Sequence, residues 1–426
     1  MPRGRRNALC TTFPPEPRAG ASALTSPRSV IVVGAGIGGL TAALALARNG
    51  FRVTVLEQAE RLEETGAGIQ LSPNAARTLI DLGLESRLRP EAVVPTALRV
   101  LGATSGREIV RIPLGEAAEQ RYGAPYWVIH RGDLQAALVA AVSEHPAITV
   151  KLGTRVEGFA VDANEVTVRA HGHAGLTKEH GLALLAADGL WSVLRERLGD
   201  DEPPRFAGRT AWRGLIPADA VAPEFREPLV HLWLGHDAHL VHYPVRAGRL
   251  INVVAITTDN WNAPGWSKPA NPADLIPRLT GEGWTPSALA LVGLPEAWLK
   301  WALYDRPPLR RWSQGPVALL GDAAHPMLPF LAQGAAMAIE DAAVAAQCLT
   351  RQQDDAAGAL RTYCAMRRAR TRRVQRLAAR NGARYHLAGA RARLRDAAMR
   401  MLGGKRLLQH YDWLYGWQPP AAISIT

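Results

Sequence analysis

The stretch VIVVGAGIGGLTAALALARNGFRVTVLE, Val30 to Glu57, leaves the chain few choices of fold. Val30 to Val33 is a β-branched run of the kind buried in a parallel sheet, and Gly34, Gly36 and Gly39 follow it in GxGxxG spacing. In that arrangement the first glycine permits a tight turn, the second admits a pyrophosphate to the backbone, and the third lets a helix lie close to the strand. The phosphates then meet the helix N-terminus, where unpaired amides and the macrodipole favour negative charge. Asn49-Gly50 ends the helix, Arg52 to Leu56 forms the next strand, and Glu57 closes it with a carboxylate placed to accept the hydroxyl hydrogens of a ribose. Strand, helix, strand and acid in this order predict a doubly wound α/β domain that binds a dinucleotide.

A second signal lies nearly three hundred residues on. Pro316 to Leu320 reads as a buried strand, and Asp322 stands at its carboxyl end, where a doubly wound sheet makes its ligand contacts. Pro326 and Pro329 restrict the loop that follows. From Gln333 the small residues Gly334, Ala335 and their neighbours to Ala338 open a helix with uncovered amides, able to stabilise an anion.

Between the two signals, Gly66 and Gly68 fit a close backbone approach to a flat ligand, and Ser72-Pro73-Asn74 introduces a short helix ending at Gly83. Residues 97 to 112 alternate like antiparallel strands. Arg131 precedes a helix from Leu134 to Val142 and either contacts a phosphate or is solvated beside an Asp133 N-cap. Thr149 to Val156 and Glu165 to Ala170 read as paired strands, and Leu182 to Asp188-Gly189 as an apolar strand and turn, with Ser192 and Arg195 on the helix beyond. From about Arg205 to Pro308 helical periodicity gives way to strands, and nine of the twelve tryptophans lie between Trp191 and Trp312. This predicts an inserted antiparallel sheet domain with most of the tryptophans in its core. Within it His239, Val241 and Tyr243 share one strand face, suited either to binding a phenol or carboxylate or to a buried structural pair.

A chain of 426 residues exceeds one ordinary hydrophobic core, so two domains are expected. The boundaries predicted are a discontinuous dinucleotide-binding domain over 29–95, 125–204 and 309–360, and a β-sheet substrate domain over 96–124 and 205–308. A disordered extension over 1–28 and a basic helical segment over 361–412 complete the chain. The net charge of +12 is concentrated at the ends: residues 361 to 406 hold fifteen Arg or Lys against Asp396 alone. Thr362 to Arg400 reads as a helix with an apolar stripe of Leu377, Leu387 and Leu394, covering the nucleotide domain rather than binding nucleic acid. Cys10, Cys348 and Cys364 suggest neither a disulfide framework nor a metal site, and no apolar run is long enough for a transmembrane helix. A cytoplasmic monomer or homodimer is expected.

The fingerprint at Gly34 to Glu57, the turn Asp188-Gly189 and GDAAHP at Gly321 to Pro326 together resemble the single-component flavoprotein aromatic hydroxylases, the class A flavin monooxygenases. GAGIQLSPNA, IPLGE at Ile112 to Glu116 and IHRGDLQAAL at Ile129 to Leu138 resemble the branch that includes salicylate and 6-hydroxynicotinate monooxygenases, and the resemblance spans Val30 to about Trp417. It implies FAD as cofactor, NAD(P)H as transient co-substrate, and transfer of one oxygen of dioxygen through a flavin 4a-hydroperoxide to a small electron-rich aromatic substrate. It also implies that Val156 meets the adenine, that Asp188-Gly189 supports the pyrophosphate, that Asp322 binds the ribityl chain, and that Pro326 lies against the flavin. The helix from Gln333 would face the pyrimidine end, with Arg131 near the phosphates and His325 supporting the flavin loop. Gln70 stands where the hydroxynicotinate enzymes have a histidine, so a base is lost there, although an amide still binds a carboxylate. His239 and Tyr243 are the candidates to assist deprotonation of a phenol. The same motifs fit an oxygenase acting on a larger polyketide or antibiotic, or a flavin reductase that inserts no oxygen. Substrate range and isotopic oxygen in the product separate these readings.

Overall fold

In a computed structural model of the protein, residues 28–62, 67–162, 165–200, 202–263 and 267–419 are described. The N-terminal stretch expected to be disordered, with Cys10, and the glycine at position 66 lie outside the described residues, Arg28 excepted.

Strand β1 (Ser29–Val33), helix α1 (Ile37–Arg48) and strand β2 (Arg52–Leu56) form the expected opening unit. The helix is apolar nearly all round because it is wedged between the sheet and a later helix. Strand β3 (Gly68–Leu71) leads into α2 (Pro73–Asp81), where Ser72 and a proline at the first helical turn set the start. Two strands, β4 (Ala97–Gly102) and β5 (Glu108–Pro113), follow, then β6 (Trp127–His130), α3 (Arg131–Glu144) and β7 (Ile148–Lys151). Next come β8 (Arg155–Asp162), β9 (Glu165–Gly172), β10 (Gly175–Gly181) and β11 (Ala183–Ala186), then the short helix α4 (Val193–Arg197). The middle of the chain holds β12 (Arg205–Pro217), β13 (Leu229–Leu234), β14 (Ala238–Val245), β15 (Leu250–Thr258), β16 (Lys268–Ala270) and β17 (Trp298–Asp305). The last part supplies β18 (Ser313–Gln314), β19 (Val317–Leu319), α5 (Gly334–Arg351), α6 (Ala356–Tyr385) and α7 (Gly389–Gln409).

A six-stranded sheet runs in the order β18-β19-β11-β1-β2-β7, parallel except at the β18 edge. Its strands are short apolar runs because both faces are covered. An eight-stranded sheet, mostly antiparallel, runs β16-β17-β12-β15-β14-β13-β4-β5, and a three-stranded sheet β10-β9-β8 and the pair β3-β6 complete the architecture. The expected pairing of Thr149–Val156 with the strand after it divides in two: Ile148–Lys151 joins the parallel sheet beside β2, and only the segment from Arg155 pairs with β9. Gly153, at a positive φ, makes the corner between them.

The C-terminal helix also differs from expectation. It breaks after Tyr385 into α6 and α7, and Leu394, expected in the apolar stripe, is 72% exposed. The buried face of α6 is instead Leu360, Tyr363, Cys364, Arg367, Thr371, Val374 and Ala378, laid over α5 and the end of the parallel sheet. Charge density hid this face, because one of its members is an arginine. The tryptophans divide as well: Trp212, Trp233, Trp284 and Trp298 fill the core behind the large sheet, whereas Trp191 is 41% exposed. Among the described residues no helix is long and apolar enough to cross a membrane, and no metal-binding cluster is present.

Candidate active site

The carboxyl ends of β1, β2, β11 and β19 gather at one edge of the parallel sheet. The three glycines there have separable roles. A Cβ on Gly34, which has φ +98°, would meet the Ala187 carbonyl oxygen at 2.4 Å, and one on Gly39 would meet the Gly34 oxygen at 1.9 Å, so both positions are closed by protein. A Cβ on Gly36 would meet nothing within 4 Å, so the middle glycine alone opens outward, at the start of α1. This is the cradle a pyrophosphate requires. Glu57 accepts hydrogen bonds from the Ala35 amide at 2.7 Å and the Ala59 amide at 2.8 Å, which hold its carboxylate beside the glycine turn. The Thr154 amide donates to the Glu57 carbonyl at 2.7 Å, bringing the start of β8 alongside, and a bulge after Val156 interrupts its pairing with β9.

The distant signals converge on the same edge. Asp322 is exposed, yet its surroundings are dense: burial pushes its carboxyl above the usual range, while His325 and Arg131 pull the other way. Arg131, the first residue of α3, therefore stands near the acid of the GDAAHP segment; of the two readings of this helix start, the Asp133 N-cap is not formed, since His130 holds that position and Asp133 pairs with Arg246. The Asp188 carboxylate turns inward, accepting from Ser192 Oγ at 2.6 Å and the Leu194 amide at 3.2 Å. It shapes the turn and the start of α4 rather than facing a ligand itself. Arg195, buried, pairs with Asp200 and donates to the carbonyls of Ala323 and Ala324 at 3.1 and 3.2 Å, fixing the loop that carries Asp322. The sequence placed Arg195 on the helix after the Asp188-Gly189 turn but not against this loop, and it did not single out Arg306. Arg306 is buried with Nε and Nη1 lacking a partner, close enough to Arg195 to disfavour its charge, although burial is the larger influence.

Pro326 is buried in the loop ahead of α5, and Ala332, at φ 52°, holds a left-handed conformation just before Gln333. The helix begins at Gly334 with no side-chain cap, leaving amides of its first turn uncovered. The Gln333 side chain points away from that opening: it donates to Ser72 Oγ at 2.8 Å and accepts from Asn74 Nδ2 at 3.2 Å. Asn74 continues to Glu340 at 2.6 Å, and Arg367 joins Glu340 and Asp341, each at 2.6 Å. His325 Nε2 closes the network on Asp341 at 2.5 Å. Burial alone would push the Asp341 carboxyl up; His325 and Arg367 hold it below its ordinary value. His325 is thus a support of this loop, as expected from its neighbour Pro326.

The large sheet turns one face toward this loop. Its register aligns His239, Ile256, Ala211 and Trp301 in one row, Val241, Val254 and Arg213 in the next, and Tyr243, Asn252 and Leu215 in a third. Val241 and Val254 are only half-buried at the middle of an otherwise buried sheet, so they form an apolar floor facing open space. Arg213 lies over the Trp301 ring, 3.7 Å from its centroid. Tyr126 donates to Gln70 Oε1 at 2.7 Å, and Gln70 hydrogen-bonds Tyr243. Burial pushes the Tyr243 hydroxyl up, against the opposing influence of Arg213 and Gln70. Gly68 serves this face: a Cβ there would strike Tyr243 at 2.5 Å and Asn252 at 2.7 Å, and its amide donates to Asn252 Oδ1 at 2.6 Å. Its close backbone approach is therefore to protein. His239, 2% exposed, meets His386 Nε2 through Nδ1 at 2.6 Å. Burial, with Arg209 adding, lowers its pKa to about 3, which leaves it a weak base near neutrality. Arg213, Trp301, His386 and Arg209 carry no motif; alternation along the strands could have placed Arg213 on this face, but nothing in the sequence places His386.

Residues 28–378 match the family model described as an FAD binding domain. The chain is 39% identical over 395 residues to a 3-amino-4-hydroxybenzoate 2-monooxygenase of Streptomyces platensis, covering 91% of this chain and 96% of that protein. It is 38% identical over 389 residues to a 3-hydroxybenzoate 6-hydroxylase of Polaromonas naphthalenivorans, with coverage of 91% and 96%. Among solved structures, a salicylate hydroxylase substrate complex superposes with a TM-score of 0.76 at 26% identity, covering 93% of this chain and 97% of that one.

Proposed function

The chain belongs to the FAD binding domain family, among flavin monooxygenases of aromatic compounds, and from that premise we propose that it hydroxylates a small electron-rich aromatic acid. NAD(P)H is the electron donor in this reading, and dioxygen supplies the inserted atom. The residues at the sheet edge fit FAD: Gly36 opens where the pyrophosphate would lie, Glu57 is held for a ribose, and Arg131 and Asp322 converge toward the flavin end. When bound, the flavin supplies electron storage and the activation of dioxygen.

The chain's own residues do the rest. The uncovered amides at Gly334 and Ala335 offer dipoles to negative charge at the pyrimidine end of the ring. The loop from Pro326 to Ala332, braced by Arg195, His325 and Gln375, which donates to the Pro326 carbonyl at 2.8 Å, sets the distance between cofactor and sheet. On the sheet, Val241 and Val254 give a flat apolar floor that excludes water, while Arg213 supplies a fixed cation for a carboxylate. Gln70 and Tyr243 add hydrogen bonds at one end. Of these features, the arginine beside an apolar floor is what carries the reading of an acid substrate.

The test is a titration of purified, FAD-loaded protein with hydroxylated and aminated benzoates and pyridine carboxylates, following NAD(P)H consumption and product mass under labelled dioxygen. An added labelled oxygen is expected in the product. Arg213→Met should keep its FAD but raise KM for the acid at least about tenfold, the loss of a charge-assisted hydrogen bond. Consumption of NAD(P)H with no labelled product, or an Arg213→Met enzyme with unchanged KM, would defeat the proposal.

A further inference from the structure

His239 faces the substrate floor from β14, and its environment fixes which of its nitrogens carries a proton. The argument starts at Arg209, whose guanidinium only donates hydrogen bonds and stays protonated in proteins. Arg209 Nη1 bonds His386 Nδ1, so that nitrogen must be the acceptor. Burial, with His239 and Arg209 adding, lowers the His386 pKa to about 2, so the ring is neutral and its single proton is on Nε2. That Nε2 lies 2.6 Å from His239 Nδ1, which must therefore accept. The same reasoning leaves the proton of neutral His239 on its own Nε2. His239 Nε2 has no hydrogen-bond partner among the described residues, and the ring lies on the face of the sheet that carries Val241, Val254 and Arg213. The ring is clamped against rotation by Phe330 at 5.5 Å and Tyr385 at 5.3 Å between centroids, and the Tyr385 hydroxyl is itself tied to the Phe330 carbonyl at 3.2 Å.

We infer that His386 is a positioning residue that holds His239 in its Nε2-protonated form, so that His239 offers the aromatic acid a hydrogen-bond donor for an anionic oxygen rather than a base. This rests on the reading of the site as an aromatic-acid pocket, and it reverses the role that a histidine on this strand invites. Together with Arg213 the pocket then presents donors at two points of one ring, which selects a substrate bearing two oxygen functions, a carboxylate and a phenolate. Arg209 anchors the far end of the chain, held in turn by Thr258 Oγ1 at 3.1 Å.

The holoenzyme, labelled with nitrogen-15 in its histidine rings, reports the tautomer directly through two-bond nitrogen–proton correlations; the His239 signals are those lost in His239→Gln. In the wild type Nδ1 should be unprotonated and Nε2 protonated. His386→Gln should preserve this pattern, since the amide can accept from Arg209 and donate to His239, whereas His386→Leu should abolish it. Protonation of His239 on Nδ1 in the wild type, or an unchanged spectrum in His386→Leu, overturns the inference; if the leucine variant does not fold, the wild-type spectrum decides alone. Binding gives a second reading: by perturbation of flavin absorbance, His239→Gln should hold a hydroxybenzoate within about threefold of wild type, and His239→Leu should lose about tenfold or more. Equal losses in both variants count against a donor role. Were the wild type to bind no aromatic acid, the substrate reading would fall, while the ring spectrum would still judge the tautomer.

Discussion

A methyl group added to each of two glycines three residues apart should have opposite consequences. At Gly39 it collides with the Gly34 carbonyl, a backbone atom that cannot yield, so Gly39→Ala is expected to cost about 1–3 kcal/mol or more in unfolding free energy. At Gly36 the backbone is extended and the space empty, so Gly36→Ala should leave apoprotein stability within about 0.5 kcal/mol while weakening FAD retention. Chemical denaturation of apoprotein and the bound flavin content give the two answers; equal destabilisation by both would show that Gly36 is a packing residue. Gly39 was legible in sequence because the protein's own backbone leaves room for one residue type there, and Gly36 only through its spacing from Gly34 and Gly39. Gln333 was legible only in place: a polar side chain at a helix start predicts proximity to a site, but not that it turns back to Ser72 and Asn74. Gly68 shows the same limit, since a need for no side chain does not say whether ligand or protein is the neighbour.

Helices α5 and α6 are joined by ions that the sequence presented as surface charge. Arg367 is 1% exposed and lies between Glu340 and Asp341, which are fully buried. Arg370 also reaches Glu340 at 2.6 Å. Removing one member of such a group leaves the others uncompensated, so Arg367→Met should cost about 3–5 kcal/mol. Adding Glu340→Gln should restore part of that loss, and the pair of unfolding curves measures both. A penalty under about 1 kcal/mol for the single variant would mean that water or relaxation already neutralises the carboxylates. The parallel sheet, by contrast, was readable at the level of elements, because each strand is a short apolar run bounded by turn residues. The break between α6 and α7 was not: no proline marks it, and the helix ends where Tyr385 and His386 turn inward to the flavin loop and β14.

At the scale of the molecule, burial lowers the pKa of five histidines, His130 among them, and this sets a pH window. Burial holds His231 at about 4, His239 at about 3 and His386 at about 2, and His242 well below its ordinary 6.5. His231 and His242 stack 4.3 Å apart on the far side of the sheet from the substrate floor. The unfolded chain takes up protons near 6.5 while the folded rings do not, so their contribution is complete above that value and is lost as pH falls toward the folded pKa values. Asp81, Asp188, Asp305 and Asp322, pushed up by burial, act in the opposite sense, but they are four carboxyls against five rings whose unfolded counterparts take up their protons inside this window. The denaturation midpoint of the apoprotein should therefore drop between pH 7.5 and pH 5, and a flat profile over that range would refute the assignment of these rings as neutral. The two-sheet plan was foreseeable from the change of texture near Arg205. The alignment of its inner face was not, because register across β12, β15 and β14 joins residues that no local pattern connects.

Arg370 donates to the carbonyls of Trp413 and Leu414, at 2.8 and 2.9 Å, and Arg77 of α2 to that of Trp417 at 2.7 Å. Trp417 also stacks against both Arg367 and Arg370. Arg77, Arg367 and Arg370 thus grip one short segment from two helices, a clamp whose jaws include residues 340 positions apart in the chain, so the wall behind the flavin loop is held by contacts no local stretch could make by itself.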